Sequence, residues 1–270
     1  MPVPPTRGAQ PRSAAMRVVA PRFALPTRCL LSMLATSSGS RPRTGDFTLI
    51  TFDVDGTLVK GSAGQSAEKS VHARAFAHGV SKVLGGGAAV PLPAAVLPSE
   101  KYHGSTDGLI ALRVADAVLG VPPTEAAPQL PKVFRSMYEY CAAVSDEEMV
   151  FGIDPLPGVL DALRALATRD DVICALVTGN VEGIARKKMR SVGVLATGAL
   201  APAAAEQDWE GEADAAFLGG FGSDYCSGDI VDAARNHLDR AEQIVIAARR
   251  CRSPSPVSYT HLTLPTTPYV

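Results

Sequence analysis

The first 44 residues contain no aspartate and no glutamate. They hold seven arginines (Arg7, Arg12, Arg17, Arg22, Arg28, Arg41 and Arg43) and are rich in Ser, Ala and Pro. Prolines at this density disfavour a long helix. Residues 1–44 therefore read as a disordered targeting segment of the transit-peptide kind, sending the chain to a chloroplast or mitochondrion. The alternative is a basic arm on a cytoplasmic protein, with Met16 or Met33 as the true start. Setting these seven arginines aside leaves 19 Lys and Arg against 27 Asp and Glu, a net charge of −8. A body this acidic argues against nucleic acid as the main partner.

Other absences narrow the class further. No apolar run is long enough to span a bilayer. The five cysteines (Cys29, Cys141, Cys174, Cys226 and Cys251) are scattered, odd in number and free of zinc-finger spacing, so reduced thiols are expected. The remaining composition, 46% hydrophobic over 270 residues, suits an α/β domain with a smaller insertion.

The most informative stretch is Leu49-Ile50-Thr51-Phe52-Asp53-Val54-Asp55-Gly56-Thr57-Leu58. A short apolar strand stops at two aspartates one residue apart. Unpaired carboxylates are costly to bury, so Asp53 and Asp55 belong at the strand's open carboxyl end. Parallel α/β sheets bind their ligands there. Residues i and i+2 of an extended chain point to one side. Two such carboxylates can hold a hard cation, or divide nucleophilic and proton-transfer work between them. Gly56 permits a sharp turn that the Thr57 hydroxyl can fix.

This stretch resembles the first motif, D-x-D-x-T, of the haloacid dehalogenase-like (HAD) superfamily. The resemblance implies Asp53 as a nucleophile that becomes an aspartyl-phosphate. It implies Asp55 as general acid/base, and Mg²⁺ held by Asp53 and the Asp55 main-chain carbonyl. The second aspartate is absent from the family's dehalogenases and present in its phosphatases and phosphomutases, so phosphoryl transfer is expected. The implied fold is an α/β HAD-like Rossmannoid parallel sheet with an inserted α-helical cap.

Further along, residues 59–150 read as helical, and so as the cap. Ser66 to Leu84 has apolar residues at helical spacing and ends at Gly85-Gly86-Gly87. Thr106 can cap a helix running to Gly120, and Pro131 can open another. His103-Gly104-Ser105-Thr106-Asp107 resembles the G-R/S-T-D turn of phosphoglycolate-phosphatase-like caps. That makes Thr106 and Asp107 either substrate-facing or an ordinary helix cap. His72, His78 and His103 read as exposed or satisfied histidines.

Asp154 to Val159 resembles the family's return linker, and Gly158 to Thr168 is an amphipathic helix. Val172-Ile173-Cys174-Ala175-Leu176-Val177 reads as a fully buried strand ending at Thr178-Gly179-Asn180. This matches the second HAD motif, in which Thr178 donates to phosphoryl oxygens and the Gly179 and Asn180 amides assist. A helix from Glu182 to Val192 carries Arg186, Lys187, Lys188 and Arg190, read as a solvated face more than an anion site. Ala196 to Ala216, around Trp209, reads as a surface excursion, and Phe217 to Gly222 as a weak strand. In the Asp229 to Arg250 helix, Asp239-Arg240-Ala241-Glu242 resembles a D-R-x-E form of the third motif. Arg240 is then the phosphoryl-binding cation, with Arg235 the runner-up.

No Asp or Glu follows Glu242, so the family's acidic fourth motif and its strand 4 have no counterpart. Residues 252–270 are rich in Ser, Thr and Pro and resemble translated sequencing-adaptor read-through, a tail outside the fold. The core is then residues 45–58 and 151–251, incomplete, with the Asp53 strand at its edge. On this reading the native full-length form is a Mg²⁺-dependent phosphatase of a small phosphorylated metabolite. The 270 residues as they stand are expected to fold poorly and to have little phosphatase activity. The alternatives are a phosphomutase, a non-catalytic HAD-like binding protein, and an unrelated α/β protein.

Overall fold

The computed structural model describes residues 48–60, 69–200 and 218–252. The proposed targeting segment, the 253–270 tail and the stretch around Trp209 lie outside the described residues. The architecture is mixed α/β, with one small parallel sheet and mostly helices around it.

Strand β1 (Thr48–Phe52) is followed by α1 (Val71–Val83), the short helices α2 (Pro93–Val96) and α3 (Ser99–Tyr102), and α4 (Asp107–Val114). α4 runs on through a π turn at Ala115–Leu119 and stops at Gly120, whose φ of 66° favours glycine. Then come α5 (Pro123–Ala126), α6 (Leu130–Ala142), α7 (Asp146–Met149) and α8 (Val159–Ala167). β2 (Val172–Val177), α9 (Glu182–Ser191), β3 (Gly219–Gly220) and α10 (Asn236–Arg252) complete the described chain.

The sheet order is β1-β2-β3. β1 and β2 pair in parallel from Thr48↔Val172 to Phe52↔Leu176. Every residue of β2 is buried, which accounts for its continuous apolar sequence. β3 pairs with β2 through Leu176↔Gly219 and Val177↔Gly220. Among the described residues β1 is the opposite edge of the sheet.

The glycines that made β3 look weak have a packing cause. A Cβ on Gly220 would lie 1.9 Å from the Gln243 carbonyl oxygen, so only glycine lets α10 lie this close to the sheet. α10 is tied down at its far end by Arg250, which donates to both Asp224 carboxylate oxygens (2.7 and 2.8 Å) and to the Gly219 carbonyl at 2.7 Å. This places Arg240, in the second turn of α10, at the carboxyl end of the sheet.

Two apolar clusters form. One joins α1, α4 and α6 through Phe76, Val80, Leu112, Phe134 and Met137. The other lies around the sheet and includes Val54, Leu58, Leu163, Leu176 and Phe221. Burying each large side chain contributes roughly 1.5–3 kcal/mol. Arg113 links α4 to the start of α10, donating to the Lys101 carbonyl (2.6 Å), Ser105 Oγ (3.0 Å), the Ile230 carbonyl (3.1 Å) and Asn236 Oδ1 (2.9 Å).

Three expectations need correction. Arg186, Lys187 and Lys188 are not a solvated face; each is 3% exposed. Arg186 pairs with Glu182 one turn earlier. Lys187 donates to the Val144 (2.6 Å) and Ala142 (3.3 Å) carbonyls at the end of α6, where a helix C-terminus attracts a cation. The start of the expected surface excursion is also inside: Ala199 and Leu200 are buried, and Leu200 bridges to Cys174. The last helix begins at Asn236 rather than Asp229, after a 3₁₀ turn whose cap is Asp232.

Candidate functional site

Asp53 and Asp55 leave β1 at its carboxyl end, as their sequence position requires. The turn after them is held by the backbone: Gly56 N–H donates to the Val59 carbonyl at 2.9 Å, and Leu58 and Val59 N–H donate to the Val54 carbonyl at 3.0 and 3.1 Å. Gly56 has a φ of 82°, and Thr57 beside it is exposed.

Each carboxylate has its own cation. Arg240 Nη2 lies 2.7 Å from Asp53 Oδ1, which also accepts the Val54 N–H at 2.8 Å. Lys188 Nζ lies 3.3 Å from both oxygens of Asp55. Asn180 Nδ2 donates to Asp55 Oδ2 at 2.9 Å and to Thr178 Oγ1 at 2.9 Å. Asn180 Oδ1 in turn accepts from Lys188 Nζ at 2.7 Å. The Asp55 side chain is 40% exposed, and although its crowded surroundings work against the charge, Lys188 and Asn180 outweigh that cost and hold this carboxyl below its ordinary value. Asp55 therefore rests ionised at neutral pH. Thr178 is buried, and its hydroxyl oxygen is occupied by two N–H groups of Asn180, leaving its own hydrogen to donate.

Arg240 also reaches the Val177 carbonyl at 3.4 Å. Arg235, the other candidate cation, pairs with Asp229 at 3.4 Å and takes no part in this cluster. Gly179 sits where a side chain has no room: a Cβ would lie 2.5 Å from the Ser105 carbonyl oxygen and 3.0 Å from Arg240 Nη1.

The 103–107 turn closes over the 178–181 turn. Asp107 N–H donates to the Gly179 carbonyl at 2.8 Å, and Asp107 Oδ2 accepts the Val181 N–H at 2.7 Å. Thr106 Oγ1 accepts from Leu109 N–H at 3.4 Å and caps α4. Both residues are buried, and in this arrangement they cap α4 and clasp the 178–181 turn.

Five expected residues thus converge: Asp53, Asp55, Thr178, Asn180 and Arg240. Lys188 and His72, which their sequence context does not mark, are part of the same cluster. His72 Nδ1 is 3.3 Å from Lys188 Nζ, and its Nε2 is 2.9 Å from Asp107 Oδ2. The one sequence signal for Lys188 was a cationic run directly after Thr178-Gly179-Asn180; His72 had none.

Among the described residues no group of three or more His, Cys, Asp and Glu is placed to hold a metal. Asp53 and Asp55 are the carboxylates at hand, and both already face cations. Mg²⁺ is commonly held by one or two carboxylates while water and substrate phosphate complete its shell, and Asp53 and Asp55 are the carboxylates that would hold it here. Among the described residues no helix is long and apolar enough to cross a membrane. Comparison with protein-family models and with curated proteins finds no match for the chain.

Proposed function

We propose that this cluster receives the phosphoryl group of a small phosphomonoester, with Asp53 as nucleophile. The observation that carries the reading is the division of labour between the two carboxylates. Asp53, steered by Arg240, can attack, while Asp55, two residues on and held by Lys188, can handle a proton.

In the first half, an Asp53 oxygen bonds to phosphorus as the ester oxygen departs, and Asp55 gives that oxygen its proton. In the second, Asp55 takes a proton from water, whose oxygen attacks phosphorus. The phosphorus–Asp53 bond breaks, and inorganic phosphate and free Asp53 result. Asp55 rests ionised because Lys188 holds it so. An arriving phosphate dianion competes for Lys188, and its own charge favours the protonated Asp55 that the first half needs. Arg240 and the Thr178 hydroxyl are donors for the phosphoryl oxygens. Resemblance to the HAD superfamily supports these roles; Mg²⁺, when bound, would be held by Asp53 and the Asp55 main-chain carbonyl and would offset negative charge on the phosphoryl group.

The second reading is a protein that binds phosphorylated metabolites without turning them over. The short supply of metal-ligating acids among the described residues favours it. The test is phosphate release from small phosphomonoesters with Mg²⁺ supplied. Slow release abolished by Asp53→Asn supports the hydrolase. Release indifferent to Asp53→Asn overturns it, and binding without release favours the second reading.

A further inference from the structure

His72 belongs to α1, in the helical insertion, yet it touches the cation that holds Asp55. The proton positions in this contact can be deduced. An ammonium group has three hydrogens and accepts nothing. Lys188 Nζ has three kinds of neighbour: the Asp55 carboxylate at 3.3 Å, Asn180 Oδ1 at 2.7 Å and His72 Nδ1 at 3.3 Å. One hydrogen for each accounts for all of them. His72 Nδ1 must then be bare, which puts the ring proton on Nε2, where it is donated to Asp107 Oδ2 at 2.9 Å. Asp107 is itself oriented by the Val181 N–H.

We propose that His72 is a positioning residue: its Nδ1 lone pair aims the Lys188 ammonium at Asp55, and Asp107 fixes the tautomer that makes this possible. The role rests on the reading of Asp55 as the proton-transfer group. It makes the insertion part of the site, because α1 supplies His72 and α4 supplies Asp107. Moving these helices away strips Lys188 of one of its three acceptors and leaves it free to swing from Asp55. The groups around the pair are known by element: Asp107 from α4, Lys188 from α9, Asp55 from the turn after β1, and the Cys141 thiol of α6, which senses both Lys188 and Asp107. The Phe76 ring stacks on His72 with centroids 5.1 Å apart and restrains the imidazole plane.

The experiment is nuclear magnetic resonance on the full 270-residue chain with ¹⁵N-labelled histidine and ¹³C-labelled aspartate. His72 is expected as the Nε2–H tautomer. In His72→Phe, the Asp55 carboxyl is expected to titrate about one pH unit higher. His72→Asn, whose amide oxygen can accept from Lys188, is expected to restore most of the difference. Both variants lose the ring and its bond to Asp107, so general damage would affect them alike. A protonated Nδ1, or an Asp55 titration unmoved in His72→Phe, overturns the proposal. If His72→Phe does not fold, the tautomer in the unaltered chain decides. Where phosphate release is measurable, His72→Phe is expected to lower it about tenfold, in kcat more than in KM. Absence of any release from the unaltered chain would sink the hydrolase reading, and the tautomer and titration would still decide this one.

Discussion

Arg240 Nη2 lies 2.7 Å from Asp53 Oδ1, joining the second turn of α10 to the end of β1. The contact depends on Gly220, since any side chain there would push α10 off the sheet and carry Arg240 with it. The same Nη2 also reaches the Val177 carbonyl, so the placement of the guanidinium matters as well as its charge. Arg240→Met is expected to reduce phosphate release or phosphate-analogue capture about a hundredfold. Arg240→Lys should recover only part of this. Full activity in Arg240→Met would remove Arg240 from the site.

Lys188 sets the ionisation of Asp55. In Lys188→Met, the Asp55 carboxyl should titrate higher by about one pH unit or more. The stability consequence has a definite sign. The folded-state value of Asp55 is depressed, so its contribution is present above the ordinary carboxylate value and is lost as pH falls through the folded value. The stability gap between the unaltered chain and Lys188→Met should therefore be widest near neutral pH and close in acid. Denaturant midpoints of the two proteins across that range check this, and a gap that widens in acid would contradict it.

Glu182 behaves in the opposite way. Burial lifts its carboxyl above the ordinary value, although Arg186 beside it pulls the other way. Stability from this group is full below the ordinary carboxylate value and declines as pH rises through the raised one. Glu182→Gln should flatten that decline. Gln stands in for the protonated carboxyl, so the variant should cost little in acid, where Glu182 is itself neutral, and less still as pH rises through the raised value. Glu182→Gln combined with Arg186→Met should cost less than Glu182→Gln alone. Thermal or denaturant unfolding of the three proteins reads both effects.

What could be read from the sequence was whatever a short local pattern encodes. Asp53, Asp55, Thr178 and Asn180 stand at the ends of two apolar strands, and acids or hydroxyls at strand ends are visible in one dimension. Arg240 was visible through its neighbours Asp239 and Glu242. Lys188 was not, because a cationic run on a helix looks the same whether water or α6 covers it. The burial of Arg186, Lys187 and Lys188 is decided by carbonyls and carboxylates contributed from other elements. His72 was hidden for the same reason: its partners Asp107 and Lys188 are distant in sequence. β3 was underestimated because Gly219 and Gly220 serve the approach of α10, not strand propensity.

Asp53 as the group that bonds to phosphorus is the centre of the mechanism. Beryllium fluoride with Mg²⁺ supplied mimics a phosphoryl group on a carboxylate, and ¹⁹F nuclear magnetic resonance detects the bound species. A bound signal is expected in the unaltered chain, lost in Asp53→Asn and kept in Asp55→Asn. A signal that persists in Asp53→Asn, or none in a chain shown to be folded, would contradict it.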